Sequence, residues 1–145
     1  MKKLTTGVLL FALLLVLSNS LACSMLKGSS PTSTFKAFFE AQKNKDVAGI
    51  KKTLSKGSLE MLEKGAKEQK KTLDASLKEG FDDPTFKAPN MPETRNEKID
   101  GNTATLEIQN DQTKKWDTMY FVKEDGDWKV ALDKTMEELI KKIGQ

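Results

Sequence analysis

The stretch Trp116-Asp-Thr-Met-Tyr-Phe-Val-Lys-Glu-Asp-Gly-Asp-Trp-Lys-Val-Ala-Leu132 decides the fold. Apolar residues recur at alternate positions on both sides of Glu124-Asp125-Gly126, the pattern of two antiparallel strands joined by a tight turn. Two registers compete. A three-residue loop, with Gly126 in a left-handed bulge, pairs Val122 with Trp128 and Tyr120 with Val130. It gathers Trp116, Thr118, Tyr120 and Val122 on the core face. A two-residue loop pairs Lys123 with Trp128 and Phe121 with Val130, and a slip of one residue exchanges the two faces of a strand. The first register keeps Asp117 and Lys123 off the core and is the one expected. Met119 and Phe121 then lie on the outer face.

Upstream, the period of two begins at Glu93. Ile99-Asp100-Gly101-Asn102 is a turn signal between two more strands, the second alternating Ala104, Leu106 and Ile108 against Thr103, Thr105 and Glu107. The first strand adds either Arg95 and Glu97 or Thr94 and Asn96 to the core face, according to its register. Downstream, Met136, Leu139, Ile140 and Ile143 are spaced 3, 1 and 3, one face of a helix. Thr135 with Glu138, or Asp133, caps that helix, and Gly144 stops it. Its stripe is expected to cover Met119 and Phe121.

Before the strands the period is helical. Ser30-Pro31 is a helix start, and Phe35, Phe38, Phe39 and Gln42 share one face. Asp46 caps a short helix holding Val47, Ile50 and Leu54. A third helix is expected from Ser58 to Lys78, with Leu59, Leu62, Ala66, Leu73 and Leu77 as its stripe, Gln69 interrupting it, and Gly80 as its end. The segment 81–92, holding Pro84, Pro89 and Pro92, reads as a structured loop. The fold class is therefore α+β: N-terminal helices packed on a curved antiparallel sheet, with a C-terminal helix.

Residues 7–17 form an uncharged apolar run behind Lys2 and Lys3, followed by small and polar residues. Those are the parts of a secretory signal peptide, and the run is short of the about 20 apolar residues that a spanning helix needs. Cys23, the single cysteine, stands directly after Ser20-Leu21-Ala22. This resembles a bacterial lipoprotein processing site, with Leu21 one place later than usual; Ser20 and Ala22 also fit ordinary signal-peptidase cleavage, whose product would be freely secreted. The expected organisation is a signal peptide over 1–22, a lipidated tether over 23–30 starting at Cys23, and one α+β domain over 31–145. The product would be exported and held on the bacterial cell envelope by lipid. One cysteine also excludes an internal disulfide framework.

Three helices, a proline-rich loop, an antiparallel meander and the turn Glu-Asp-Gly-Asp-Trp-Lys-Val (124–130) resemble the nuclear-transport-factor-two-like superfamily, and within it the short bacterial secreted or lipid-anchored domains of unknown function. The resemblance covers roughly residues 30–132, through element order more than through a fixed motif. It implies a cone between helices and sheet that holds a small ligand or is filled by side chains. It also implies that pairing of two copies through the sheet is a natural mode of assembly.

The 145 residues carry 24 basic and 21 acidic side chains, a net charge of +3, with no histidine. The charges are interleaved, so no concentrated basic face calls for nucleic acid. The absence of histidine removes the commonest general base and metal ligand. Asp125-Gly126-Asp127 lacks the further oxygen ligands of a calcium loop. No cofactor and no metal is called for. The expected function is a non-catalytic module on a membrane tether, binding a small apolar ligand between helices and sheet. Gln69, Trp116 and Tyr120 are its candidate ligand-binding residues. A protein-interaction domain with a filled core is the alternative, and an isomerase- or dehydratase-like enzyme a lesser one.

Overall fold

The computed structural model describes residues 29–82 and 90–144. The expectations for the leader, for Cys23 and for most of the proline-rich loop lie outside the described residues. Among the described residues, four helices come first: α1 (Pro31–Lys43), α2 (Val47–Thr53), α3 (Lys56–Glu68) and α4 (Leu73–Gly80). Four strands follow, β1 (Thr94–Asp100), β2 (Thr103–Gln109), β3 (Trp116–Glu124) and β4 (Asp127–Val130), and then α5 (Leu132–Ile143). The sheet is an antiparallel meander in the order β1-β2-β3-β4. The architecture is α+β.

Local chemistry sets the helix starts. Ser30 and Ser33 form a reciprocal capping box ahead of Pro31, and Asp46 accepts from Gly49 N–H to start α2. The long third helix expected from Ser58 to Lys78 is two helices. Ser55, not Ser58, is the N-cap of α3, and Gln69 is its C-cap. Lys70 adopts a positive φ of 56°. This lets Lys71 N–H bond Ala66 O and Lys70 N–H bond Lys67 O. That is the Schellman closure, made here with lysine where glycine is usual. Thr72 then caps α4 through Ala75 N–H. Gln69 is thereby an exposed cap residue and does not point inward between helix turns.

The register of β3 and β4 is the two-residue one. Phe121 pairs with Val130, Lys123 with Trp128 and Glu124 with Asp127. Asp125 and Gly126 both have positive φ, 52° and 89°, the primed turn whose twist matches antiparallel strands and for which Asp-Gly is suited. The faces of β3 are therefore exchanged relative to the expectation. Phe121 is fully buried beside Ala104, Leu106 and Val130, and Met119 packs against the same cluster. Trp116, Thr118, Tyr120 and Val122 face the other way. The cost of placing Lys123 on the core side is small because it sits at the strand end, exposed, with its ammonium 5.8 Å from the Trp128 ring centre.

The core lies between the sheet and α1–α2. Phe35, Ala41 and Ile50 come from the helices and Leu54 from the extended C-cap of α2; Ala104, Leu106, Phe121, Trp128 and Val130 come from the strands. The free edge of β4 is closed by hydroxyls and backbone from the helices. Trp128 N–H donates to Ser29 Oγ, Thr34 Oγ1 donates to Trp128 O, and Ser55 N–H donates to Val130 O. An edge so satisfied offers little template for a further strand.

The start of α5 covers the part of β3 that β4 leaves unpaired. β4 ends at Val130, and beyond it Ala131 N–H donates to Tyr120 O while Tyr120 N–H donates to Thr135 Oγ1. Ala131 is the N-cap without a side-chain bond, so neither Thr135 nor Asp133 caps the helix; both are used elsewhere. The stripe expected to cover Met119 and Phe121 does not do so. Those two side chains lie under the N-terminal helices, and Met136, Leu139, Ile140 and Ile143 are exposed.

Candidate functional site

The exchanged register collects polar and aromatic side chains on the outer face of the sheet. Its middle is a threonine belt of Thr103, Thr105 and Thr118, bordered by Trp116, Tyr120 and Val122 of β3, with Glu107 on β2 opposite Thr118. The first strand contributes through a bulge. Arg95 pairs with Glu107 but Lys98 pairs with Thr105, so β1 carries one extra residue there, and Asn96 takes a positive φ of 53°. The bulge lets neighbouring residues serve one face. Arg95 Nε donates to Glu107 Oε2 at 2.7 Å and Asn96 Nδ2 donates to the same oxygen at 2.9 Å. Glu97 turns toward α1, where its Oε2 accepts from Thr32 N–H at 2.8 Å and Thr32 Oγ1 at 2.6 Å. A carboxylate there suits the positive end of the helix.

The Arg95 guanidinium lies 3.9 Å from the centre of the Trp116 ring. The indole is therefore already stacked by a cation, and that cation is already held by Glu107. The pair is a finished surface feature and not a bare platform for a flat ligand. The Arg95 hydrogen bond, with that from Asn96 next in importance, holds the Glu107 carboxyl below the usual carboxylate range. A carboxyl lowered in the folded protein supports the fold above its unfolded pKa and loses that support as pH falls through its folded value. Arg95→Ala should return the Glu107 carboxyl toward the ordinary range and free the Trp116 ring. Carboxyl NMR titration and tryptophan quenching by a neutral quencher read the two effects, and an unmoved Glu107 titration refutes the coupling.

Of the three ligand-binding candidates, the structure brings Trp116 and Tyr120 onto one face and leaves Gln69 apart from them, exposed at the end of α3. Trp116 and Tyr120 are half-buried on the side of the sheet opposite Phe121, so they do not line the space between helices and sheet. Cys23 lies outside the described residues.

A second polar cluster went unread in the sequence. Ser58 is fully buried and Ser55 nearly so. Ser58 Oγ lies 2.7 Å from Ser55 Oγ, 2.9 Å from Asp133 Oδ1 and 3.1 Å from Val130 O, and it accepts from Leu132 N–H at 2.8 Å. The only sequence signal was Ser55-Lys-Gly-Ser58, two candidate caps in a row. A serine beside an aspartate invites comparison with a nucleophile, but a fully enclosed hydroxyl cannot meet a substrate. The cluster is a strut joining the starts of α3 and α5 to the end of β4.

Among the described residues, no group of three or more His, Cys, Asp or Glu is placed to hold a metal ion, and no helix is long and apolar enough to cross a membrane. Comparison with protein families, curated proteins and solved structures finds no match to this chain.

Proposed function

We propose that the chain is a non-catalytic bacterial lipoprotein, exported and held on the cell envelope through Cys23, whose domain works through its surface on a protein partner. One observation carries the choice between a surface and a cavity. The space between helices and sheet is occupied by the chain's own Phe35, Ile50, Leu54, Leu106, Phe121 and Val130, each at most 4% exposed, while the aromatic candidates stand on the opposite face. Small-ligand sites are concave spaces of several hundred Å3, lined by apolar groups with a few convergent polar ones; a space already filled by side chains is poor ground for one. The tether is supported by the apolar leader and by the lone cysteine directly behind it. The element order, helices first and then a four-strand meander, supports a nuclear-transport-factor-two-like domain with a filled cone.

Two measurements test this reading. Cys23→Ala should move the protein from the membrane to the soluble fraction, because two or three acyl chains on one cysteine anchor firmly where a single chain holds marginally; a variant that stays in the membrane refutes the lipid tether. Native mass spectrometry of the protein from its own host should give the mass of the processed, acylated chain alone. A stoichiometric small-molecule adduct would overturn the surface reading in favour of a ligand module.

A further inference from the structure

We infer that α4, with Phe81 and Asp82 directly behind it, is a strap that detaches from the domain as one unit and is latched by ion pairs, so that raised ionic strength opens it. This goes beyond the proposed tether and partner and does not depend on either.

Three observations carry it. First, α4 is shallowly seated. Each of α1, α2 and α3 buries residues such as Phe35, Ile50 and Ala66, and no residue of α4 is buried. Leu73, Leu77 and Phe81 are spaced four apart, one stripe, and the helix rests on the inner cluster through Leu77 and Phe81, both half-buried. A segment with little buried apolar area opens at a lower free energy than the whole domain. Second, the chain ahead of α4 is a joint. Gln69 closes α3, Lys70 stands in the left-handed region at φ 56°, and Thr72 starts α4 afresh. The hydrogen-bond ladder of α3 is finished before α4 begins, so α4 can leave without unwinding α3. Third, acids of the strap meet lysines of the body at both of its ends. Asp74 Oδ1 lies 3.0 Å from Lys51 Nζ in the last turn of α2, and Asp82 Oδ1 lies 2.6 Å from Lys45 Nζ in the turn between α1 and α2. A further pair, Glu79 with Lys71, ties the strap to its own joint. The side chains of the first two pairs are exposed, so dissolved ions reach them. Salt screens these pairs and does not weaken the apolar contacts of Leu77 and Phe81. Each exposed pair changes an equilibrium by roughly 1.5- to 5-fold, so the latch is weak and adjustable. The open form uncovers Leu77 and Phe81 together with the part of the inner cluster beneath them, an apolar surface that the closed form hides.

Backbone amide exchange reads the opening directly. α4 has 8 residues, and an isolated helix shorter than about 12–15 residues is marginal in water, so detachment melts it and frees its amides. The full chain is kept in a non-ionic detergent and its exchange is followed by mass spectrometry, peptide by peptide. At low salt, peptides over α4 should exchange several-fold faster than those over α1 and over β2 and β3. Raising sodium chloride from about 20 mM to about 500 mM shortens the screening length from roughly 20 Å to roughly 4 Å. That change should speed exchange in α4 several-fold again and leave α1, β2 and β3 as they were. The double variant Lys45→Gln, Lys51→Gln should exchange rapidly in α4 already at low salt and lose most of the response to added salt. Lys78→Gln removes one positive charge from α4 itself, outside these pairs, and should keep both the slow low-salt exchange and the full response. The three lysines are exposed, and unchanged exchange in α1, β2 and β3 shows that the variants fold. An α4 that exchanges no faster than α1, β2 and β3 at low salt overturns the strap. Salt that leaves α4 unchanged, or that speeds every element equally, overturns the latch. So does a double variant with the full response to salt, and so does Lys78→Gln acting like the double variant, the sign of an effect of net charge.

Discussion

Phe121→Ala should destabilise this protein severely, and Tyr120→Ala should not. Phe121 is fully buried at the centre of the sheet's inner face, paired with Ala104 on one side and Val130 on the other. Truncating a core phenylalanine costs about 3–5 kcal/mol, from lost transfer energy and from the cavity left behind. A domain of this size has a total stability of about 5–15 kcal/mol, and each 1 kcal/mol is worth about 4–8 °C in Tm for a small domain. A fall of about 10 °C or more is expected in thermal unfolding. Tyr120, one residue away, is half-exposed on the outer face, and its bonds to Ala131 and Thr135 are made by backbone atoms that alanine keeps. Its truncation should cost well under half as much. The competing register exchanges these roles, so a larger loss at Tyr120 than at Phe121 would refute the pairing described.

That pair of residues also marks how far the sequence could be read. The elements themselves were legible: Ser30-Pro31 and Asp46 start helices, Gly101-Asn102 turns β1 into β2, and Ala104 and Leu106 alternate inward as their pattern says. β3 resisted because both of its faces are apolar, so alternation alone carries no direction. The information lay in Asp125-Gly126, a dipeptide suited to the two-residue turn. Keeping charges off the core face was the weaker guide, since Asp117 and Lys123 sit near the strand ends and are exposed. The break between α3 and α4 resisted for another reason. Ala66 and Leu73 are seven residues apart, two helical turns, so the stripe runs on through the interruption. A lysine in the left-handed conformation leaves no composition signal of the kind glycine would. The outer-face cluster was half legible. Trp116 and Tyr120 share a face in any register, but the bulge that turns Arg95 and Asn96 together onto Glu107 adds a residue that no alternation rule foresees. Gln69 was misplaced by the helix break alone. The stripe on α5 was read correctly as one face; what covers it is a question about neighbours, which the periodicity of a single helix does not contain.

Ser58→Ala should loosen the C-terminal helix before the rest of the domain. The Ser58 hydroxyl accepts from Leu132 N–H and has Asp133 Oδ1 and Val130 O as acceptors for its one proton. Asp133 at 2.9 Å is the stronger choice because its acceptor is charged. Alanine removes the acceptor of a partly buried N–H and the closest donor to a carboxylate, and each buried group left unpaired costs about 1–3 kcal/mol. The loss falls where α3, β4 and α5 meet, so amide exchange in α5 should accelerate more than exchange in β2 and β3. Gly57 gives an independent approach to the same strut. A Cβ built there lies 2.6 Å from Asp133 Oδ2, so Gly57→Ala must push the carboxylate away from the serines. Both substitutions then break one connection, and the double variant should cost clearly less than the two single costs added, as expected for residues sharing a partner. Additive losses, or an α5 whose exchange is unchanged in Ser58→Ala, would mean that the helix is held by Leu132 and the Thr135 bonds to β3 without help from the buried serines.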